Sequence, residues 1–187
     1  MDLTDLAHAQ AAYAVAIDAI DALGADGWSR PTPCEDWDVA GVTRHLITGE
    51  RAFTTSLGGV RYDLPALAAE VAEVPDDDLA STYAVGASAL RSALAAADPS
   101  TPFPTGIGPM AAAPIAELRT IEALVHGWDV AGDSLVVDDA AAERAIAHSL
   151  ALMERLPPDR TPFGPPQPVA DDAPAIDRLV ALLGRRV

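Results

Sequence analysis

The chain has 187 residues, half of them hydrophobic, and 28 acidic against 12 basic side chains give a formal net charge of −16. That length suits one well-buried domain and is short for two, and that hydrophobicity excludes a disordered or fibrous chain. Every basic residue is arginine, and a surface this acidic repels phosphate backbones and anionic lipid, so neither nucleic acid nor membrane is an expected partner.

The first segment, Leu3 to Leu23, places Leu3, Leu6, Ala9, Tyr13, Ile17 and Ile20 at three- and four-residue steps, an amphipathic helix that "LGADGW" ends at Gly24. "WSRPTPCEDWDVAG" then breaks the helix with two prolines and offers Asp36 or Asp38 as a cap. A second helix is expected from Val39 to Leu57, stopped by Gly58-Gly59. Residues 58–75 read as a connection holding a short helical piece, and a third long helix runs from Asp76 to Ala97 with three aspartates at its positive end. "DPSTPFPTGIGPMAAAP" reads as a Pro/Gly-rich loop, with Pro114 as the first residue of a fourth helix ending at Ala131. A fifth helix spans 138–155, and after an extended tail a short one closes the chain at 175–183. With no period-2 strands, the expectation is all-α: an up-and-down four-helix bundle over residues 1–157, with short additional C-terminal helical segments in a tail over 158–187 that packs on it.

The single cysteine, Cys34, rules out an intramolecular disulfide framework. The chain shows no signal-like start and no apolar run near about 18 residues. A cytoplasmic protein, monomer or homodimer, is expected.

The fourth helix carries the unusual pattern. At about 100° per residue, Ile115, Leu118, Glu122, Val125, His126 and Asp129 fall within roughly 60° of one line, so Glu122 and His126 sit one turn apart among core residues. Such a pair can hold a metal through imidazole nitrogen and carboxylate oxygen. It can equally be an acid/base pair, with Glu122 orienting His126, or a plain hydrogen-bonded pair at a bundle edge. His45, in the second helix, shares its stripe with Gly41, Gly49 and Ala52, small residues that leave room for a neighbouring helix or a ligand. One histidine from one helix and Glu-x-x-x-His from another make three protein ligands, the number a catalytic zinc site uses. Asp129 can accept the other ring N–H of His126, or serve as a capping or arginine-pairing acid.

"WSRPTPCEDWDVAGVTRHLITGERAF" together with "ELRTIEALVHGWDVAGD" resembles the mycothiol-dependent maleylpyruvate isomerase N-terminal-domain family, within the DinB/YfiT-like superfamily of four-helix-bundle metalloenzymes. The tail "FGPPQPVADDAPAIDRLVALLGR" is similar to a mostly actinobacterial subgroup of metal-binding proteins. The resemblance implies a divalent metal, usually Zn2+ with Ni2+ as the alternative, on His45, Glu122 and His126. It also implies mycothiol as cosubstrate, its thiol activated by the metal. In the isomerase a separate C-terminal domain adds a catalytic arginine; residues 158–187 are too few for such a domain, so maleylpyruvate isomerisation itself is not expected.

Other side chains admit two readings. Trp37 is a core anchor or a substrate contact, with the core favoured, and Trp128 is read as core. Cys34 precedes a helix start, where its thiol could be reactive, but its place after Pro33 favours turn packing. Arg44 and Arg51 flank His45 and could hold a substrate carboxylate, or pair with the acidic surface. His8 and His148 are left outside the site. The leading expectation is a metal-dependent thiol transferase or isomerase-type enzyme joining a small-molecule thiol to a small electrophilic substrate. The alternatives are a metal-dependent hydrolase, a non-catalytic metal-binding or stress-response bundle, and a metal-free buried polar network.

Overall fold

In the computed structural model, residues 3–34, 37–155 and 163–187 are described. The four long helices are α1 (Leu3–Asp21), α2 (Val39–Leu57), α4 (Asp76–Ala96) and α5 (Ala112–Ala131), with the short α3 (Leu64–Ala72) between α2 and α4. The two ends of α2 and the start of α3 have local causes. Asp38 extends its carboxylate to the Gly41 N–H at 2.8 Å and so caps α2. Gly59, at φ 78°, takes the chain out of α2 in a conformation other residues adopt only with strain. Asp63 caps α3 by accepting from the Ala66 N–H at 3.1 Å. Asp36, the other expected cap, lies outside the described residues.

Around the bundle, α1 lies against α5 and α4, and α2 lies against α4 and α5. The pairs α1/α2 and α4/α5 therefore sit on the diagonals. Tyr83, Ile20, Leu46, Ile47, Leu79 and Leu124 are fully buried where these helices meet. Outside the bundle, α6 (Asp139–Arg155) packs on α5, and α7 (Ala175–Leu182) packs on both α6 and α5. The expected boundary between bundle and tail, after residue 157, lies outside the described residues.

The segment read as a Pro/Gly-rich loop contains a hairpin, a correction to the expectation of no strands. β1 (Phe103–Thr105) pairs antiparallel with β2 (Gly108–Met110), Phe103 opposite Met110 and Thr105 opposite Gly108. Pro104 faces Pro109 in the middle pair, and neither has an N–H to give, so alternation could not announce these strands. The hairpin is held from outside: the Ser56 hydroxyl donates to Pro104 O at 2.7 Å, and the Gly106 N–H donates to the Tyr62 hydroxyl at 2.8 Å. Another adjustment is that α5 starts at Ala112, so Pro114 sits inside its first turn, where a missing N–H costs nothing. Among the described residues no helix is long and apolar enough to cross a membrane.

Candidate metal centre and its two chambers

Three stretches of chain converge at one end of the α2–α5 contact. From α2, His45 points its Nε2 at Glu122 Oε2, 2.9 Å away. From α5, His126 brings its own Nε2 within 3.4 Å of the same oxygen. The ligand atoms of His45, Glu122 and His126 all lie within 4.8 Å of one another. Ahead of α2, Cys34 and Trp37 join the cluster, and Thr32 braces both. The Thr32 hydroxyl donates to Trp37 O at 2.7 Å and accepts from the Cys34 N–H at 3.1 Å.

Asp129 is the second centre of the cluster. Its Oδ2 lies 2.8 Å from His126 Nδ1 and accepts from the Cys34 thiol at 3.3 Å. Arg185, beyond the end of α7, donates to both Asp129 oxygens at 3.1 and 2.8 Å and to Cys34 Sγ at 3.0 Å. Cys34, His126 and Asp129 thus form a second group whose ligand atoms lie within 4.8 Å of each other, sharing His126 with the first.

Beneath the site lies a buried ion pair. Arg119, 2% exposed, donates to Glu50 Oε1 at 2.8 Å, and Glu50 is wholly buried. Its other nitrogen stands 3.8 Å from Glu122 Oε2. A β-carbon at Gly49 would come within 2.5 Å of Arg119 Nη1, so glycine makes the space the guanidinium occupies.

These surroundings set the charges. Burial opposes ionisation of Glu122, but hydrogen bonds from His126 and His45 outweigh it and hold the carboxyl well below its ordinary value. Burial likewise disfavours a charged His126, yet its bonds to Asp129, Cys34 and Glu122 raise its pKa well above the ordinary value. For His45, burial wins and the pKa falls despite Glu122. Asp129 is lowered, the bonds from His126 and Arg185 overcoming its burial. Glu50 is raised by burial even though Arg119 is beside it.

Two chambers open on this cluster, and Trp37, His45 and Glu122 border both. One, about 630 Å³, lies between α2, α3 and the hairpin tip. The other, about 800 Å³, is edged by Cys34, His126, Gln167, Arg185 and Arg186.

The expected side chains fall as follows. His45, Glu122, His126 and Asp129 are brought together. Trp37 is 37% exposed and stacks on His45 with ring centroids 4.6 Å apart, so the reading as a core anchor is corrected: it lies on the cluster's rim. Trp128 is core, at 4%. Cys34 is more than turn packing, since its sulfur touches both Asp129 and Arg185. Arg44 borders the first chamber but is engaged by Asp76 at 2.7 Å and Val74 O at 2.8 Å, the acidic-surface pairing. Arg51 borders neither chamber. His148 faces Glu117 at 3.3 Å, away from the site. Glu50, Arg119 and Arg185 were not anticipated. Arg119 had a signal, its place one turn before Glu122; Arg185 had none in its own neighbourhood.

A family model for the mycothiol maleylpyruvate isomerase N-terminal domain matches residues 9–131, the span that holds every candidate ligand. The chain belongs to that family. Relatives of this family member include the uncharacterized proteins MT0763 and Rv0738 of Mycobacterium tuberculosis, strains CDC 1551 / Oshkosh and ATCC 25618 / H37Rv. Each is 28% identical over 167 residues, 87% of this chain and 87% of its own. Uncharacterized protein MT0041 of the former strain is 32% identical over 149 residues, 71% of this chain and 58% of its own. Among solved structures, the mycothiol-dependent maleylpyruvate isomerase superposes with a TM-score of 0.69 at 14% identity, covering 82% of this chain and 70% of that one. A histidine-to-alanine mutant of that isomerase gives 0.63 at 15%. At such identities the likeness speaks for the fold, which is the all-α, DinB-like bundle.

Proposed function

We propose that the chain holds a divalent metal, zinc by its donor set, on His45, Glu122 and His126, and serves as a mycothiol-dependent transferase or isomerase-type enzyme acting on a small electrophile. The observation that carries this is the sharing of one carboxylate oxygen by two imidazole Nε2 atoms from different helices, at 2.9 and 3.4 Å. Two imidazole nitrogens and one carboxylate oxygen are the donors of several catalytic zinc sites. The fit extends outward: Asp129 at 2.8 Å keeps the proton of His126 on Nδ1 and leaves Nε2 to face the centre. When bound there, such a cation supplies the positive charge that turns a thiol into a nucleophile near neutral pH.

The chain's own residues do the rest. Trp37 fixes the plane of His45 by stacking on it. Arg119 stands behind Glu122 at 3.8 Å and holds part of the charge that a carboxylate buried this deeply would otherwise leave uncompensated. Arg185 and Arg186 place guanidinium groups beside the polar chamber. The mycothiol dependence named for the superposed isomerase supports the thiol as the cosubstrate.

The test is elemental analysis of untagged protein, wild type against His45→Ala, Glu122→Ala and His126→Ala, followed by calorimetry with mycothiol. Stoichiometric zinc in the wild type, lost in each variant, and thiol binding that needs the zinc are expected. Wild-type protein with no more metal than a variant carrying all three substitutions, after zinc reconstitution, would end the metal reading. Zinc without any effect on thiol binding would end the transferase reading.

A further inference from the structure

The two chambers that share His45 and Glu122 differ in chemistry. The larger carries Thr32, Cys34, Gln167, Arg185 and Arg186 around its wall. The smaller is walled by Gly41, Gly49 and Ala52 of α2 and by largely apolar side chains beyond it, Leu64, Ala68 and Ile107 among them. Its volume falls in the range of small-ligand pockets. Two of its apolar side chains stand open to water at the rim, Leu64 at 49% and Ile107 at 60% exposure. Leaving such surface wet forgoes stabilisation that an apolar occupant would recover, at about 25 cal/mol per Å² covered.

The smaller chamber is also poorly made for an anion. Its two guanidinium groups are spoken for: Arg44 by Asp76 at 2.7 Å and Arg119 by Glu50 at 2.8 Å. The remaining acidic or basic lining residues among those described are His45 and Glu122, the candidate ligands themselves; Tyr62 adds a phenol whose oxygen accepts from the Gly106 N–H at 2.8 Å. The net charge of −16 adds a field that disfavours dianions throughout.

We propose that this chamber binds the uncharged, hydrophobic body of the electrophile, an aromatic or branched aliphatic molecule, and presents its reactive end to the His45–Glu122 edge, while the hydrophilic thiol approaches from the polar chamber. That the occupant is the electrophile rests on the reading above; that the chamber selects neutral apolar molecules does not. The maleylpyruvate type of substrate, a small polar anion, is the wrong chemistry for this wall.

The test uses a matched pair of probes, 2-naphthol and 2-naphthoate, titrated into the full chain by calorimetry with chelator present, so that no bound cation attracts the carboxylate. The neutral probe is expected to bind at least about tenfold more tightly than the carboxylate. Ala68→Trp, on the exposed face of α3, fills the chamber, and Ile107→Asp puts a charge on the hairpin tip. Each is expected to weaken 2-naphthol binding by about tenfold or more with an unchanged circular dichroism spectrum. Equal affinity for the two probes would overturn the proposal, as would wild-type affinity in both variants. Preference for 2-naphthol and sensitivity to Ala68→Trp in a protein that takes up no zinc would uphold the chamber while removing the metal reading. Zinc and thiol binding without the naphthol preference would do the reverse.

Discussion

Replacing Arg119 by methionine tests how much of this bundle depends on one buried ion pair. Arg119 is 2% exposed and Glu50 fully buried, with 2.8 Å between them. The second Glu50 oxygen has no hydrogen-bond partner among the described residues. Arg119→Met therefore strands a carboxylate in the core. Removing one member of a buried pair costs about 3–5 kcal/mol, which in a domain of this size lowers Tm by roughly 6–20 °C. Glu50→Met in the same background takes away the stranded charge, and an apolar replacement of the whole pair is expected to recover most of the loss. The pH dependence has a definite sign. Burial already raises the Glu50 carboxyl, with Arg119 opposing that shift. Without Arg119 it rises further, so the folded variant keeps its stability at low pH and loses it as pH climbs through the raised value. The assay is urea denaturation followed by circular dichroism at pH 5 and pH 7, for both single variants and the double. A cost for Arg119→Met under about 1 kcal/mol, or losses in the double variant that simply add, would refute the reasoning.

Three further outcomes are expected. Gly49→Ala should destabilise by about 1–3 kcal/mol in urea, although alanine in a helix interior ordinarily gains about 1, because its β-carbon would meet Arg119 Nη1 at 2.5 Å. In chelator-treated protein, the stability lost in His126→Gln should be largest between pH 4.5 and 6.5, the ordinary Glu and His values. It should shrink as pH rises through the raised His126 pKa, since a raised imidazole stabilises the fold only while protonated, and a depressed Glu122 only while ionised. A loss that grew toward alkaline pH would contradict the assigned contacts. Asp129→Asn should weaken zinc binding by about 10–100-fold in a competition assay with a chromophoric chelator, because Nδ1 of His126 loses its charged acceptor.

The sequence made the helices legible where caps and glycines bracket an amphipathic run. The bounds of α2 match the expectation at both ends because Asp38 and Gly58-Gly59 mark them. The convergence of His45 with Glu122 and His126 was legible for a similar reason: helical spacing puts small residues around one and core residues around the others. What escaped was whatever depended on distant partners. Nothing local pairs Glu50 with Arg119, 69 residues away, until their helices pack together. Trp37 looked like core by residue type, but Thr32 holds it at the rim. Cys34 and Arg185 are 151 residues apart, and neither has a local pattern that announces the other. The hairpin was hidden by its own prolines, which can appear in a strand pair this short but erase its alternation.

The position of Arg185 also bears on the order in which the molecule comes together. The contacts of His45 with Glu122 span 77 residues, whereas those of Cys34 with Arg185 span nearly the whole chain. Closing a longer loop carries an additional entropic cost, about 0.6 kcal/mol for each doubling of length, and distant contacts form late when nearer ones can form first. Refolding should therefore regain the His45–Glu122–His126 cluster before Arg185 docks on Asp129. A stopped-flow record would show this as zinc uptake running ahead of the change in Cys34 reactivity, which makes the lone thiol a built-in clock for the final step.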